Sequence, residues 1–127
     1  GVAMRGSTAL IGAAGHTPHN PTIGATYVWY ADASAGGAFA QTEMLQPAGG
    51  VQCGTAVALS EDARLAAIGC HDADLGDGEG GTGAVFMYTL VDAGDPAGAW
   101  ALLTTIVAGH DRVVGSRFGN AVGLSVG

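Results

Sequence analysis

The chain has little charge, few cations and few aromatic residues. Charged side chains fill 12% of its 127 positions, about half of the roughly 25% usual in soluble domains. A disordered tail, which would be highly charged and poor in apolar residues, is therefore excluded. Four Lys and Arg against eleven Asp and Glu leave a net charge of -7. That sign is wrong for holding a phosphate backbone, so nucleic acid is not an expected partner. No apolar run reaches the roughly 20 residues of a membrane helix, and no membrane span is expected in this segment. Gly and Pro together number 27 (23 and 4) without a Gly at every third place, which excludes collagen. The opening Gly1-Val2-Ala3-Met4 lacks a charged leader followed by an apolar stretch, so no signal peptide is expected there. No apolar 3.6-residue period persists for three turns, and Gly recurs too often for helices.

What is present is a repeat, the first thing to seek in a chain of this composition. Gly54-Thr55-Ala56-Val57-Ala58-Leu59-Ser60 returns as Gly119-Asn120-Ala121-Val122-Gly123-Leu124-Ser125, identical at five of seven positions and 65 residues on. Gly24-Ala25-Thr26-Tyr27-Val28-Trp29 returns 59 residues on as Gly83-Ala84-Val85-Phe86-Met87-Tyr88. Ala38-Phe39-Ala40 answers Ala99-Trp100-Ala101 at 61, and Ile11-Gly12 answers Ile68-Gly69 at 57. The offset grows between apolar segments, where loops absorb added residues cheaply. Six of the eight aromatic residues fall into matched pairs: Tyr27/Phe86, Trp29/Tyr88 and Phe39/Trp100.

Each repeat holds four short apolar runs bounded by Gly, Asp, Asn or Pro. They lie at 2–4, 8–14, 24–31 and 38–45, then at 54–60, 64–70, 83–90 and 99–107. Runs of this length and composition predict strands. Several are apolar on both faces: Ala84, Phe86 and Tyr88 alternate with Val85 and Met87. A sheet with one wet face would alternate apolar and polar instead. Four-stranded sheets covered on both faces, without helices between them, predict an all-β protein built of β-propeller blades.

Three stretches resemble FG-GAP repeats, the blades of the integrin α-subunit head and of many surface proteins. Gly115-Ser116-Arg117-Phe118-Gly119-Asn120-Ala121-Val122 is similar to the family's Phe-Gly strand opening. Ala9-Leu10-Ile11-Gly12-Ala13 and Ala67-Ile68-Gly69-Cys70 stand at its Gly-Ala-Pro position, though neither continues to Pro. Gly83-Ala84-Val85-Phe86-Met87-Tyr88 looks like its third strand, and Cys53 replaces the Phe before Gly54. The resemblance covers nearly the whole chain. It divides the chain into a first blade at 1–53 with a partial first strand, a second at 54–118, and the opening strand of a third at 119–127. Such propellers have about seven blades. The end inside an expected strand therefore points to a piece of a longer polypeptide, with ring-forming copies as the alternative. The resemblance implies a non-catalytic extracellular or cell-surface module with protein or glycan ligands, acting in cell adhesion or surface assembly. Its other partners would be further blades of the same or neighbouring chains. Two alternatives stand beside it: a structural repeat of a surface appendage or filament, and an accessory propeller of a secreted enzyme.

Two clusters are candidate sites. His71-Asp72-Ala73-Asp74-Leu75-Gly76-Asp77-Gly78-Glu79 offers Asp72, Asp74, Asp77 and Glu79 as oxygen ligands for Ca²⁺. The resemblance supports calcium, but the Asp spacing departs from Asp-x-Asp-x-Asp-Gly, and the matching loop at 14–21 has no acid. A solvated acidic turn is the other reading. If 60–63 forms a two-residue hairpin turn, paired positions sum to 123 and Cys53 faces Cys70. Opposed strand residues lie within disulfide range, and a disulfide would imply an oxidising, extracellular setting. Two buried free thiols are the alternative. Elsewhere the chemistry is thin. His16 and His19 lack two further zinc ligands. His71-Asp72 and His110-Asp111 lack a nucleophile, and Ser60 and Ser116 lack a nucleophile-elbow context. Gly78–Gly83 has no phosphate-binding Lys, and Pro21 after Asn20 excludes glycosylation. No catalytic residue is expected.

Overall fold

In a computed structural model, residues 1–15, 24–47, 52–73, 82–107 and 117–125 are described. They form two four-stranded antiparallel sheets, each a meander of sequence neighbours. The first contains β1 (Val2–Arg5), β2 (Thr8–Ala13), β3 (Ala25–Ala31) and β4 (Phe39–Leu45). The second contains β5 (Cys53–Leu59), β6 (Leu65–Cys70), β7 (Ala84–Leu90) and β8 (Trp100–Val107). Among the described residues the helical content is one 3-10 turn, Ala33–Ala35. No helix there is long and apolar enough to cross a membrane. Residues 119–125, expected to open a further strand, join no ladder; Phe118 beside them bridges Gly83.

The sheets repeat each other in detail. Pairing shifts by one residue between Val28 and Trp29 on β3, and again between Met87 and Tyr88 on β7, 59 positions on. These matched bulges leave Thr42 and Leu103 unopposed on the outermost strands, where a bulge adds local twist. Both outer hairpins turn on an aspartate: Asp32 accepts the Ser34 amide and Asp92 the Gly94 amide, each at 2.9 Å.

The register of the β5–β6 hairpin corrects the expected one. From Ala56↔Gly69 to Leu59↔Ala66 the paired positions sum to 125, not 123. The turn is longer because Ser60 Oγ accepts the Leu65 amide at 2.9 Å and donates to Asp62 Oδ1 at 2.6 Å. Asp62 Oδ1 also accepts the Arg64 amide at 3.1 Å, and Ala63 adopts φ 58°. Glu-Asp is a poor two-residue turn, and these local bonds favour a wider one. An irregularity between Cys53 and Ala56 then restores Cys53↔Cys70.

Each sheet has two faces, named here by their place in the repeat. The trailing face of the first sheet carries Leu10, Val28 and Leu45. It packs on the leading face of the second, which carries Ala66, Ile68, Phe86 and Tyr88, and together these form the main core. The trailing face of the second sheet carries Ala58, Ala67 and Val85, with Phe118, Val122 and Leu124 from the C-terminal segment against it.

Close approach at the junction demands glycine. A Cβ on Gly12 would overlap the carbonyl of Gly54, and a Cβ on Gly69 would overlap that of Gly119. Gly54 and Gly119 adopt φ 93° and 90°, a region that disfavours any larger residue. Parallel bridges Gly24↔Cys53 and Gly83↔Phe118 accompany the two contacts. The C-terminal segment thus meets the second sheet as β5 meets the first.

Candidate functional site

Cys53 and Cys70 form a disulfide, with 4.1 Å between their Cα atoms. It ties the start of β5 to the end of β6, and both residues are fully buried in the main core. The first sheet has no counterpart, because Ala13 stands where Cys70 does, 57 positions earlier. Closing a loop of this length stabilises the fold by about 3 kcal/mol in the chain-entropy account.

His71 follows Cys70 directly in the chain. The His71 side chain is buried, with Nε2 at 3.3 Å from Asp72 Oδ2. Its Nδ1 has no hydrogen-bond partner among the described residues. Asp72 is partly exposed, so the pair faces solvent through its carboxylate. Among the described residues no three His, Cys, Asp or Glu side chains converge on one point. Asp74, Asp77 and Glu79 lie outside the described residues, as do His16, His19, His110, Asp111 and Ser116. Ser60 is taken up by its turn: its hydroxyl engages Asp62 and the Arg64 and Leu65 amides.

A polar contact that the sequence did not single out joins the outer strands. Glu43 on β4 accepts the backbone N–H of Trp100 on β8 at 2.8 Å, across 57 residues of sequence. Tyr88 lies close by. Burial, and after it the Glu43 charge, hold the Tyr88 phenol above its ordinary pKa. Glu43 was visible as the one acid in an apolar run, but its partner depends on how two sheets stack, which local pattern does not encode. The junction therefore combines an apolar core, a glycine contact near the inner strands and a charge-assisted hydrogen bond at the outer ones.

Comparison with family models, with curated proteins and with solved structures finds no match in any of the three.

Proposed function

We propose that the two sheets are successive blades of an FG-GAP-like β-propeller, and that the chain is a non-catalytic extracellular module. Its connecting loops would present ligand contacts to proteins or glycans in adhesion or surface assembly. The observation that carries the reading is the junction repeated within one chain: Gly12 on Gly54 with its bridge, then Gly69 on Gly119 with its bridge. Like sheets stacked face on face suit a radial repeat. The Cys53–Cys70 disulfide fits an oxidising compartment. Within this reading Asp72, Asp74, Asp77 and Glu79 would hold Ca²⁺ through oxygen ligands.

The test is retention of the protein on an array of glycans and extracellular proteins, with Ca²⁺ or with chelator. The expected result is retention on a defined member that Asp74→Ala with Asp77→Ala weakens in Ca²⁺. Absence of retention throughout, or hydrolysis of an arrayed glycan, overturns the adhesive, non-catalytic reading. The uncovered leading face of the first sheet, where Val2, Met4 and Phe39 are exposed, favours a second reading, a repeat unit of a surface appendage or filament.

A further inference from the structure

The leading face of the first sheet is built like a buried one. Pairing places Val2, Met4, Ile11, Tyr27, Trp29 and Phe39 on it. Their counterparts on the second sheet are Val57, Leu59, Ile68, Phe86, Tyr88 and Trp100. All six counterparts belong to the main core, five of them buried and Val57 partly so. On the first sheet four of the same positions are open, with Val2 74% exposed, Met4 56%, Phe39 45% and Ile11 40%, and Tyr27 and Trp29 are partly exposed. Exposed contiguous apolar surface of this kind marks an interaction site.

The complementary surface lies at the other end of the same molecule. Leu45 on the trailing face of the first sheet is 3% exposed, whereas Ile106, its counterpart on the second, is 45% exposed. Met87, which matches the fully buried Val28, is also only partly covered. The segment 117–125 covers the part of that face near β5 and β6 and leaves the side of β8 open. One molecule thus displays both halves of the interface that its own two sheets form.

We propose that this chain associates head to tail with a second copy of itself. The leading face of one copy's first sheet docks on the trailing face of the other copy's second sheet, repeating the internal junction. The recipient's residues 122–125 and the incoming Val2–Arg5 correspond in the repeat and claim the same place. β2 holds Val2–Arg5 at four register positions, whereas residues 122–125 belong to no ladder, so the C-terminal segment yields. Such an interface is heterologous: it closes into a ring if the rotation per copy allows and otherwise extends. The proposal rests on the stacking of like sheets in the reading above and not on its adhesive role, so a failure to bind any arrayed ligand leaves it standing.

The test is sedimentation velocity of the intact chain from micromolar to near-millimolar concentration. The wild type is expected to sediment faster as concentration rises. Ile11→Asp and Ile106→Asp, on opposite faces, are each expected to weaken self-association at least tenfold. An equimolar mixture of the two is expected to form dimers and nothing larger, since one intact face of each kind remains. The exposed control Val91→Asp is expected to behave as wild type. Near-ultraviolet circular dichroism reports folding of each variant, and Ile11→Ser and Ile106→Ser replace any Asp variant that does not fold. A wild type that stays monomeric throughout overturns the proposal. So does an Ile106→Asp chain that still dimerises, which would mean that leading faces pair with each other.

Discussion

The two sheets have the same strands, the same outer bulges and matched aromatic residues, yet they differ in how far they are buried. In the second sheet β7 is covered on both sides, by the first sheet and by Phe118 with its neighbours. In the first sheet the corresponding β3 buries Ala25, Thr26 and Val28, while Tyr27 and Trp29 stay partly exposed. Sequence supplies a face competent to be buried; a neighbour decides whether it is. Matched apolar side chains therefore carry different energies in the two halves, since the hydrophobic contribution follows the apolar area removed from water.

Truncating the matched pair Phe86 and Tyr27 gives the largest expected contrast. Phe86 is buried in the main core, and Phe86→Ala is expected to cost about 4 kcal/mol through lost transfer energy and the cavity left behind. Tyr27→Ala removes a ring that stays partly exposed and lacks a second sheet against it, and is expected to cost about 1 kcal/mol. Urea unfolding of both variants measures the difference. Equal costs would mean that the leading face of the first sheet is covered in solution.

The glycine contacts sharpen the comparison further. Gly12→Ala forces a methyl group into the Gly54 backbone and wedges the two sheets apart, at an expected cost of about 3 kcal/mol. Gly69→Ala forces the same methyl into Gly119, where the C-terminal segment can move away, so about 1 kcal/mol is expected. Urea midpoints give the costs, and amide exchange at Phe118 shows whether the segment has left. If Gly69→Ala costs as much as Gly12→Ala, the segment is as firmly held as a sheet.

Much of this architecture was legible in the sequence, for a physical reason. Short runs rich in Val, Ile and aromatic residues, cut by Gly and Asp, admit little but strands. The expected spans agree with the observed strands to about one residue at most ends. The facing of Cys53 and Cys70 was legible too, but by two compensating errors: the turn is two residues longer than assumed, and the irregularity before Ala56 takes those residues back. Side-chain hydrogen bonds from Ser60 and Asp62 set that turn, and turn formers alone do not fix its length. The junction of Glu43 with Trp100 was not legible, because it joins residues of different sheets. The four acids of the cluster are near neighbours in sequence, and Asp72 is their one member among the described residues.

The smallest expected effect separates the two innermost hairpins by pH. β1 and β2 join through Gly6 and Ser7, a two-residue turn with Gly6 at φ 55° and no carboxylate in it. β5 and β6 join through a turn in which Asp62 accepts bonds from Ser60 and the Arg64 amide, and these lower its pKa, the Ser60 hydroxyl most. A carboxyl lowered in the folded state adds stability above its unfolded pKa and loses it as pH falls through the folded value. Acidification through and below the ordinary carboxylate range should thus loosen the second turn and spare the first. Amide exchange, corrected for its intrinsic pH dependence, is expected to show protection falling at Arg64 and Leu65 but not at Thr8. Asp62→Asn is expected to make the Arg64 and Leu65 amides indifferent to pH over that range. Parallel loss at Thr8 would place the titrating group outside the Asp62 turn.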